Sequence, residues 1–121
     1  MGLPVVHFEI SSAAAPELRA FYAAAFGWKI DVDGDGYADI HTDGTCPGTG
    51  FPGIDGGIAP DREDFVTVYV QVPDVAAALA DVERLGGTTI VPPTAAGNVE
   101  LALFADPRGN RIGLVRAAPL A

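Results

Sequence analysis

The second half of this 121-residue chain repeats its first half in register. Each half reads as a strand, a helix, a glycine and a further strand, and a shift of about 60 positions superimposes the two patterns. Gly27, after the first helix, matches Gly86, and the same shift carries His7 onto Thr67. Two copies of one unit often face each other across a shared cleft. If such a cleft held a metal between symmetric histidines, this chain would have kept one of them and lost the other.

Hydrophobic periodicity divides the repeat into elements and predicts an α+β fold of two βαβββ modules. We place the modules at about 4–60 and 64–117, within one domain spanning 1–121, because a chain of this length normally forms a single domain. A Pro92-Pro93 pair is expected to end the strand before it, and the Gly56-Gly57 pair leaves room for a neighbour or a ligand. The predicted strands are 5–10, 28–32, 37–42, 54–59, 65–72, 88–91, 99–105 and 111–115, and the predicted helices are 17–26 and 75–85.

Alternation along the strands identifies the candidate site residues. On the first strand His7 and Glu9 share one face, while Val6, Phe8 and Ile10 point to the other face, which is apolar and should pack on helices. The corresponding strand of the second module places Thr67 and Tyr69 on its polar face, opposite a row of valines. His41, on the third strand, can reach the same pocket if its face is the concave one. The candidate ligand-binding residues are therefore His7, Glu9, His41, Thr67 and Tyr69.

Charge and composition exclude several classes of partner. A formal net charge of −9 argues against nucleic acids and anionic membranes, both of which attract basic surfaces. No apolar run approaches the roughly 20 residues of a membrane span. The single cysteine, Cys46, cannot form an internal disulfide, and it lies in a Gly/Pro/Thr loop without a basic sequence neighbour to activate it. These features favour a cytoplasmic protein and are compatible with a cationic ligand.

Several segments resemble the vicinal oxygen chelate superfamily, which has the glyoxalase/bleomycin-resistance/dioxygenase fold. The matching pieces span nearly the whole chain, and the most specific is the Asp-Pro-x-Gly-Asn turn with the strand that follows it. The resemblance is close to small single-domain members whose first strand reads Val-His-Phe-Glu-Ile. It implies a homodimer with curved sheets around small-molecule pockets. The matching segments are 6–10, 21–28, 72–75, 85–87 and 104–114.

The resemblance also implies four positions for metal ligands, on the first, fourth, fifth and eighth strands of metal-dependent members. His7 matches the first position, but the fourth strand offers only Asp55 or glycines where the family has Glu. Thr67 stands at the fifth-strand position, and Gly113 replaces the Glu of the eighth. A catalytic divalent site needs about three protein ligands, so no metal cofactor is predicted, although a divalent metal stays an alternative. A rearranged site with His7 and His41 completed by Glu9, Asp55 or Glu100 is a further alternative.

Three functional classes follow from these observations. The first is metal-free binding or sequestration of a small organic ligand in the cleft of a dimer. The second is an enzyme of the same superfamily. It would be a metal-dependent lyase, isomerase or dioxygenase with rearranged ligands, or a metal-free enzyme that uses His7 and Glu9 as an acid–base pair. The third is a structural or regulatory dimer without a ligand. The missing metal ligands favour the first class.

Overall fold

The computed structural model describes residues 2–42, 48–50 and 52–117 of the chain. Its elements form the βαβββ arrangement twice, which confirms the predicted α+β fold. Cys46 lies outside the described residues. In chain order the elements are β1 (Val5–Ser12), α1 (Ala15–Phe26), β2 (Lys29–Val32), β3 (Ala38–His41), β4 (Gly56–Pro60), β5 (Phe65–Gln71), α2 (Val75–Arg84), β6 (Thr88–Ala96), β7 (Val99–Ala105) and β8 (Arg111–Ala117).

The chain forms two compact units, and the division between them falls within β1 and β5. The N-terminal unit is His7–Val66, and the C-terminal unit is Thr67–Ala121 together with Met1–Val6. The strand order is β2-β3-β4-β1 in the first and β6-β7-β8-β5 in the second. In each unit the first strand is parallel to the last, and the other neighbouring strands are antiparallel. The two units therefore share one topology.

The core of the N-terminal unit lies between its sheet and α1. Pro16 occupies the first turn of the helix, and Gly27 ends it in the left-handed region at φ +70°, where its N–H donates to Ala23 O. The predicted apolar face of β1 packs as expected at Phe8 and Ile10, which belong to this cluster, whereas Val6 is 36% exposed. The other members are Ala15, Leu18, Tyr22, Trp28, Ile30, Ala38, Ile40 and Ile58.

The core of the C-terminal unit is built in the same way beneath α2. Asp74 is the N-cap of this helix, and its carboxylate accepts from the backbone N–H of Ala77 at 3.0 Å. Gly86, at φ +104°, follows the helix end. The buried members of the cluster are Val72, Val75, Leu79, Ala102 and Leu114.

Two expectations from the sequence are wrong. The strand predicted to end before Pro92-Pro93 continues to Ala96, with register shifts between Thr89 and Val91 and between Val91 and Thr94. Proline is tolerated there because β6 is the last strand in the order of its unit, so a missing N–H need not break a ladder on both sides. The row of valines opposite Thr67 and Tyr69 begins with Val66, which does not pack as the apolar face of a strand should, since it is 66% exposed.

The described helices are short compared with a membrane span. α1 contains 12 residues and α2 contains 10, and neither qualifies as a span among the described residues. Crossing a bilayer requires about 20 predominantly apolar residues.

Candidate functional site

The face of the N-terminal sheet opposite α1 is polar. The strand register places Glu9, Gly57, Asp39 and Asp31 in one row across β1, β4, β3 and β2. Alternation along the strands adds His7, Tyr37, His41 and Asp55 to the same face, together with Lys29, which pairs in register with His41. The other face carries the apolar core, so the polar side chains lie on the opposite face of the sheet. We call this surface of His7, Glu9, Lys29, Asp31, Tyr37, Asp39, His41 and Asp55 the polar face.

His7 lies at the centre of the polar face, where it is half-buried and hydrogen-bonded to a tyrosine. Its Nε2 lies 2.9 Å from the hydroxyl oxygen of Tyr37, thirty positions away in the chain. Burial lowers the pKa of His7 below its ordinary 6.5, and the nearby Asp39 and Asp55 oppose that shift without overcoming it. The imidazole is therefore predominantly neutral at neutral pH, and in this state it can both accept and donate a hydrogen bond.

Tyr37 reaches His7 because Gly57 has no side chain. A Cβ atom on Gly57 would collide with the phenol group of Tyr37. The tight turn before β3 holds the tyrosine in place, since Asp33 N donates to Tyr37 O at 2.7 Å and Tyr37 N donates to the Asp35 carboxylate at 3.1 Å. The room predicted at the glycine pair is therefore taken by neighbours, which are Tyr37 at Gly57 and Phe8 at Gly56.

The C-terminal unit repeats this arrangement with different residues. Tyr69 on β5 pairs in register with Gly113 on β8, and a Cβ atom on Gly113 would collide with the Tyr69 ring. The ring is 5% exposed, so Tyr69 is part of the packed interior. Thr67 is also buried, at 3% exposure, and its hydroxyl donates to Arg111 O at 2.8 Å.

His41, Asp55 and Glu100 each interact with a different partner, and none of these partners is His7. His41 Nε2 lies 3.0 Å from the Asp31 carboxylate, in an exposed pair. Asp55 accepts from Thr42 N at 2.8 Å. Glu100 in the C-terminal unit lies 3.7 Å from Arg116. The two histidines thus have different hydrogen-bond partners, and Glu100 is engaged by an arginine.

The residues present do not fit the metal centre that the fold family implies. Gly57 and Gly113 offer no ligand atom, and each is covered by a tyrosine. The Thr67 hydroxyl is engaged by a backbone carbonyl, and His7 is engaged by Tyr37. In the described ranges, no three His, Cys, Asp or Glu side chains come together as metal ligands. A divalent site requires about three.

Tyr37 and Asp39 were not selected from the sequence, although alternation along the third strand puts both on the face of His41. The signal that points to Tyr37 is the glycine at position 57, because an empty position on a buried strand must be filled by a neighbouring side chain. Which neighbour fills it depends on the strand register, which a single sequence does not specify.

A separate apolar pocket of about 140 Å³ lies in the C-terminal unit. This volume is below the roughly 300 Å³ at which drug-sized ligand sites begin. It is not a stronger candidate than the polar face. Its lining residues are Val82, Leu85, Gly87, Phe104, Asp106 and Pro107.

Comparison with known proteins gives a family and a fold. The model of the glyoxalase-like domain family matches residues 7–115. A comparison with curated proteins gives no significant match.

Solved structures agree over almost the entire chain. A methylmalonyl-CoA epimerase variant of Streptomyces coelicolor, in complex with 2-nitronate-propionyl-CoA, superposes with a TM-score of 0.68 at 17% identity, covering 98% of each chain. A glyoxalase/bleomycin resistance protein/dioxygenase superfamily member from Vibrio splendidus 12B01 gives 0.64 at 13% identity, covering 95% of this chain and 99% of that chain. A halotolerant catechol dioxygenase gives 0.63 at 18% identity, covering all of this chain and 41% of its own. At these identities the similarity shows the fold alone.

Proposed function

Because this chain belongs to the family of glyoxalase-like domains, we propose that it is a metal-independent small-molecule-binding protein whose ligand binds the polar face. The observation that carries the proposal is the His7–Tyr37 hydrogen bond above Gly57. It puts a neutral imidazole and a phenol where metal-dependent relatives are expected to hold a metal ion. Both groups can donate and accept hydrogen bonds, so together they can bind a polar group of an organic ligand.

The charge of the polar face supports a cationic ligand. Four carboxylates lie there, those of Glu9, Asp31, Asp39 and Asp55, against the single ammonium of Lys29, and a neutral His7 adds no positive charge. The chain as a whole carries a net charge of −9, which raises the local concentration of cations and speeds their association. The Tyr37 ring can contribute a cation–π contact to an ammonium or amidinium group. Sequestration of an organic cation by a cytoplasmic homodimer is the form of this function that the sequence favours.

The test is a matched series of ligands measured by calorimetry. Aryl ammonium and amidinium ions are compared with aryl carboxylates of the same size, at low and at high salt. We expect binding of cations only, weakened by salt because the attraction is partly between exposed charges. Asp39→Asn should weaken binding about tenfold, as expected for the loss of one charge-assisted hydrogen bond.

The matched control is Asp81→Asn, which removes the same charge from the exposed surface of α2. It should leave the affinity for cations unchanged. Equal binding of cations and anions, or equal effects of the two substitutions, would contradict the proposed ligand class. Stoichiometric divalent metal retained by the wild type but not by His7→Ala would contradict metal independence.

A second candidate function is acid–base catalysis without a metal. The observation that favours it is the lowered pKa of half-buried His7 beside the Tyr37 hydroxyl, because a neutral imidazole is a base at neutral pH and a phenol can donate a proton. Glu9 lies on the same face of β1 and is the alternative partner. The chemistry within reach of such a pair is proton abstraction next to a carbonyl group.

This function is tested by deuterium exchange. Carbonyl compounds with acidic α-protons are incubated with the protein in deuterated water and followed by NMR. Exchange that is lost in both His7→Gln and Tyr37→Phe would support catalysis by the pair. Exchange lost in Glu9→Gln but not in Tyr37→Phe would assign the second role to Glu9. No exchange above the rate in buffer would leave ligand binding as the proposed function.

A further inference from the structure

Small side chains run along β4 on the polar face. Gly57 pairs with Glu9 of β1 on one side and with Asp39 of β3 on the other. Two residues further along β4, Ala59 pairs with Ser11 of β1. Because a glycine and an alanine project little from the sheet, the longer side chains of the neighbouring strands enclose a trough above them. We call the space above Gly57 and Ala59 the β4 trough.

The ring of Tyr37 lies in the β4 trough. The register of β3 and β4 continues beyond the end of β3, since a Cβ atom on Gly36 would lie 3.6 Å from Cγ of Pro60. This register puts the backbone of Tyr37 at one end of the trough. Its phenol group reaches Gly57, where a Cβ atom would collide with it, and its hydroxyl oxygen lies 2.9 Å from His7 Nε2. The trough therefore already holds a phenol, with the hydroxyl at the imidazole.

The Tyr37 ring can leave the β4 trough without disturbing the fold around it. The side chain is half-buried. The backbone is fixed separately, because Asp33 N donates to Tyr37 O at 2.7 Å and Tyr37 N donates to the Asp35 carboxylate at 3.1 Å. Rotation about the Cα–Cβ bond would turn the ring towards solvent without breaking either backbone bond. The apolar core of this unit lies on the other face of the sheet, so the rotation leaves it intact.

The wall of the β4 trough contains a buried hydroxyl group without a partner. Ser11 lies on the same face of β1 as His7 and Glu9, and it is 2% exposed. Within residues 2–42, 48–50 and 52–117, its Oγ is the buried side-chain oxygen that lacks a hydrogen-bond partner. A buried hydroxyl in this state is costly, so a ligand atom that pairs with it is favoured.

We propose that the β4 trough binds the hydroxyl-bearing aromatic ring of a small ligand, which replaces the Tyr37 ring when that side chain rotates outwards. The ring hydroxyl donates to the imidazole of His7, as the Tyr37 hydroxyl can in the ligand-free protein. An ammonium group on the same ligand lies against Glu9 or Asp39, which flank Gly57. The inference rests on the proposed function, because the ligand again binds the polar face, and it narrows the ligand class to organic cations that carry a phenol.

The tethered Tyr37 ring and the ligand compete for one space, and this competition sets the expected affinities. A group linked to its own site acts at a high effective concentration, on the order of millimolar or more. The apparent dissociation constant of the ligand rises as the fraction of protein molecules with an open trough falls. Phenol itself should therefore bind the wild type only weakly. Removing the Tyr37 ring should strengthen its binding, although Tyr37 belongs to the candidate site.

The first experiment titrates the full chain with phenol and with benzene, followed by NMR of the backbone amides. Tyr37→Ala leaves a ring-sized space, and engineered spaces of this kind bind benzene. Phenol should bind Tyr37→Ala at least about tenfold tighter than it binds the wild type, because no tethered ring competes. Phenol should also bind this variant about fivefold tighter than benzene does, because only phenol can donate a hydrogen bond to His7.

The matched control is Tyr22→Ala. Tyr22 is a half-buried tyrosine of the same unit, but its ring stacks with Phe26 and Trp28 on the other face of the sheet. A space left there has no imidazole beside it, so phenol and benzene should bind Tyr22→Ala equally. The same preference for phenol in both alanine variants would overturn the proposal.

A second variant protects the test against misfolding. Tyr37→Phe keeps the ring and loses only the hydroxyl that bonds to His7. A ligand should displace this ring more readily, so phenol should bind Tyr37→Phe a few-fold tighter than it binds the wild type. No gain in phenol affinity in either Tyr37 variant would overturn the proposal.

The last experiment separates this proposal from the proposed function. Calorimetry compares the binding of aryl ammonium ions with and without a ring hydroxyl to the wild type, and the hydroxyl should strengthen binding about fivefold. Equal affinities would overturn the hydroxyaryl site and leave cation binding intact. A preference of Tyr37→Ala for phenol, without binding of any ammonium ion, would support the site and contradict the proposed ligand class.

Discussion

The two units share one topology but use equivalent positions differently. In the N-terminal unit, the face of β1 that lies away from α1 holds His7 and Glu9, and both side chains are partly accessible. In the C-terminal unit the same positions of β5 hold Thr67 and Tyr69, and both are buried. These positions therefore carry accessible titratable side chains in the N-terminal unit and buried side chains in the C-terminal unit.

The comparison extends to two glycines on the last strands of the two units, Gly57 on β4 and Gly113 on β8. Both Gly57 and Gly113 are covered by a tyrosine, but the two tyrosines come from different places. Tyr69 lies on the strand paired with Gly113, whereas Tyr37 precedes β3 and presents its hydroxyl end to Gly57 and His7. The same vacancy can therefore be filled by a buried ring or by a polar group that stays available to a ligand.

The largest expected effect is a difference in stability between alanine substitutions at Gly113 and at Gly57. Gly113→Ala places a Cβ atom against the inner carbons of the buried Tyr69 ring, which cannot move aside, and should cost about 3 kcal/mol of unfolding free energy. Gly57→Ala meets the far end of the half-exposed Tyr37, which can rotate outwards, and should cost about 1 kcal/mol. Urea unfolding of both variants measures the difference. Equal costs would mean that Tyr37 is packed as firmly as Tyr69.

The parts of this fold that follow from local chemistry could be predicted from the sequence. The helices predicted at 17–26 and 75–85 are present as α1 and α2, and the expected glycines, Gly27 and Gly86, follow them. Alternation on β1 correctly separated Phe8 and Ile10 from His7 and Glu9. These signals depend on residues a few positions apart, so they survive without knowledge of the register.

The central contact of the candidate site could not be predicted, because it depends on register. Tyr37 meets His7 across thirty positions, through a row that runs over β3, β4 and β1. Alternation gives the face of each strand but does not say which residues of neighbouring strands are opposite. The burial of Thr67 and Tyr69 was missed for the related reason that a polar residue on an inward face reads as solvated until its hydrogen-bond partner is known.

A second test measures whether water can replace the buried hydroxyl of Thr67 as a hydrogen-bond donor. Thr67→Val keeps the shape of the side chain but leaves Arg111 O without the hydroxyl donor, and should cost about 1.5 kcal/mol. Thr94→Val is the matched control, since the Thr94 hydroxyl donates to Pro92 O in an exposed segment and its loss should cost almost nothing. A similar cost for both in thermal unfolding would show that water replaces the lost donor at position 67.

The starts of the two helices give a third comparison with a smaller effect. α2 is capped locally by Asp74, whereas α1 has Ala14 at its N-cap and is held by Asp64, which accepts from Ser12 Oγ at 2.7 Å and Ala13 N at 3.3 Å. Asp74→Ala and Asp64→Ala should each cost about 1 kcal/mol. Asp81→Ala, which breaks an exposed pair on α2, serves as the control and should cost less than about 0.5 kcal/mol.

The smallest expected effect is a pH dependence confined to the N-terminal unit. Because burial lowers the pKa of His7, the unfolded chain takes up a proton at this residue before the folded chain does. The stability due to neutral His7 is therefore complete above its ordinary pKa of 6.5 and is lost as the pH falls through the lower pKa of the folded state. His7→Gln removes this contribution, so the difference between wild type and variant should shrink as the pH is lowered.

Asp39 and Asp55 set the size of that effect, because both oppose the shift caused by burial. Asp39→Asn should lower the pKa of His7 further, so the loss of stability on acidification becomes larger and extends to more acidic pH. Tyr37→Phe should raise it, since the phenol no longer stabilises the neutral ring. NMR titration of the His7 ring protons in the wild type and both variants measures these shifts. The same titration curve for His7 in all three proteins would mean that solvent screens the ring from Asp39 and from Tyr37.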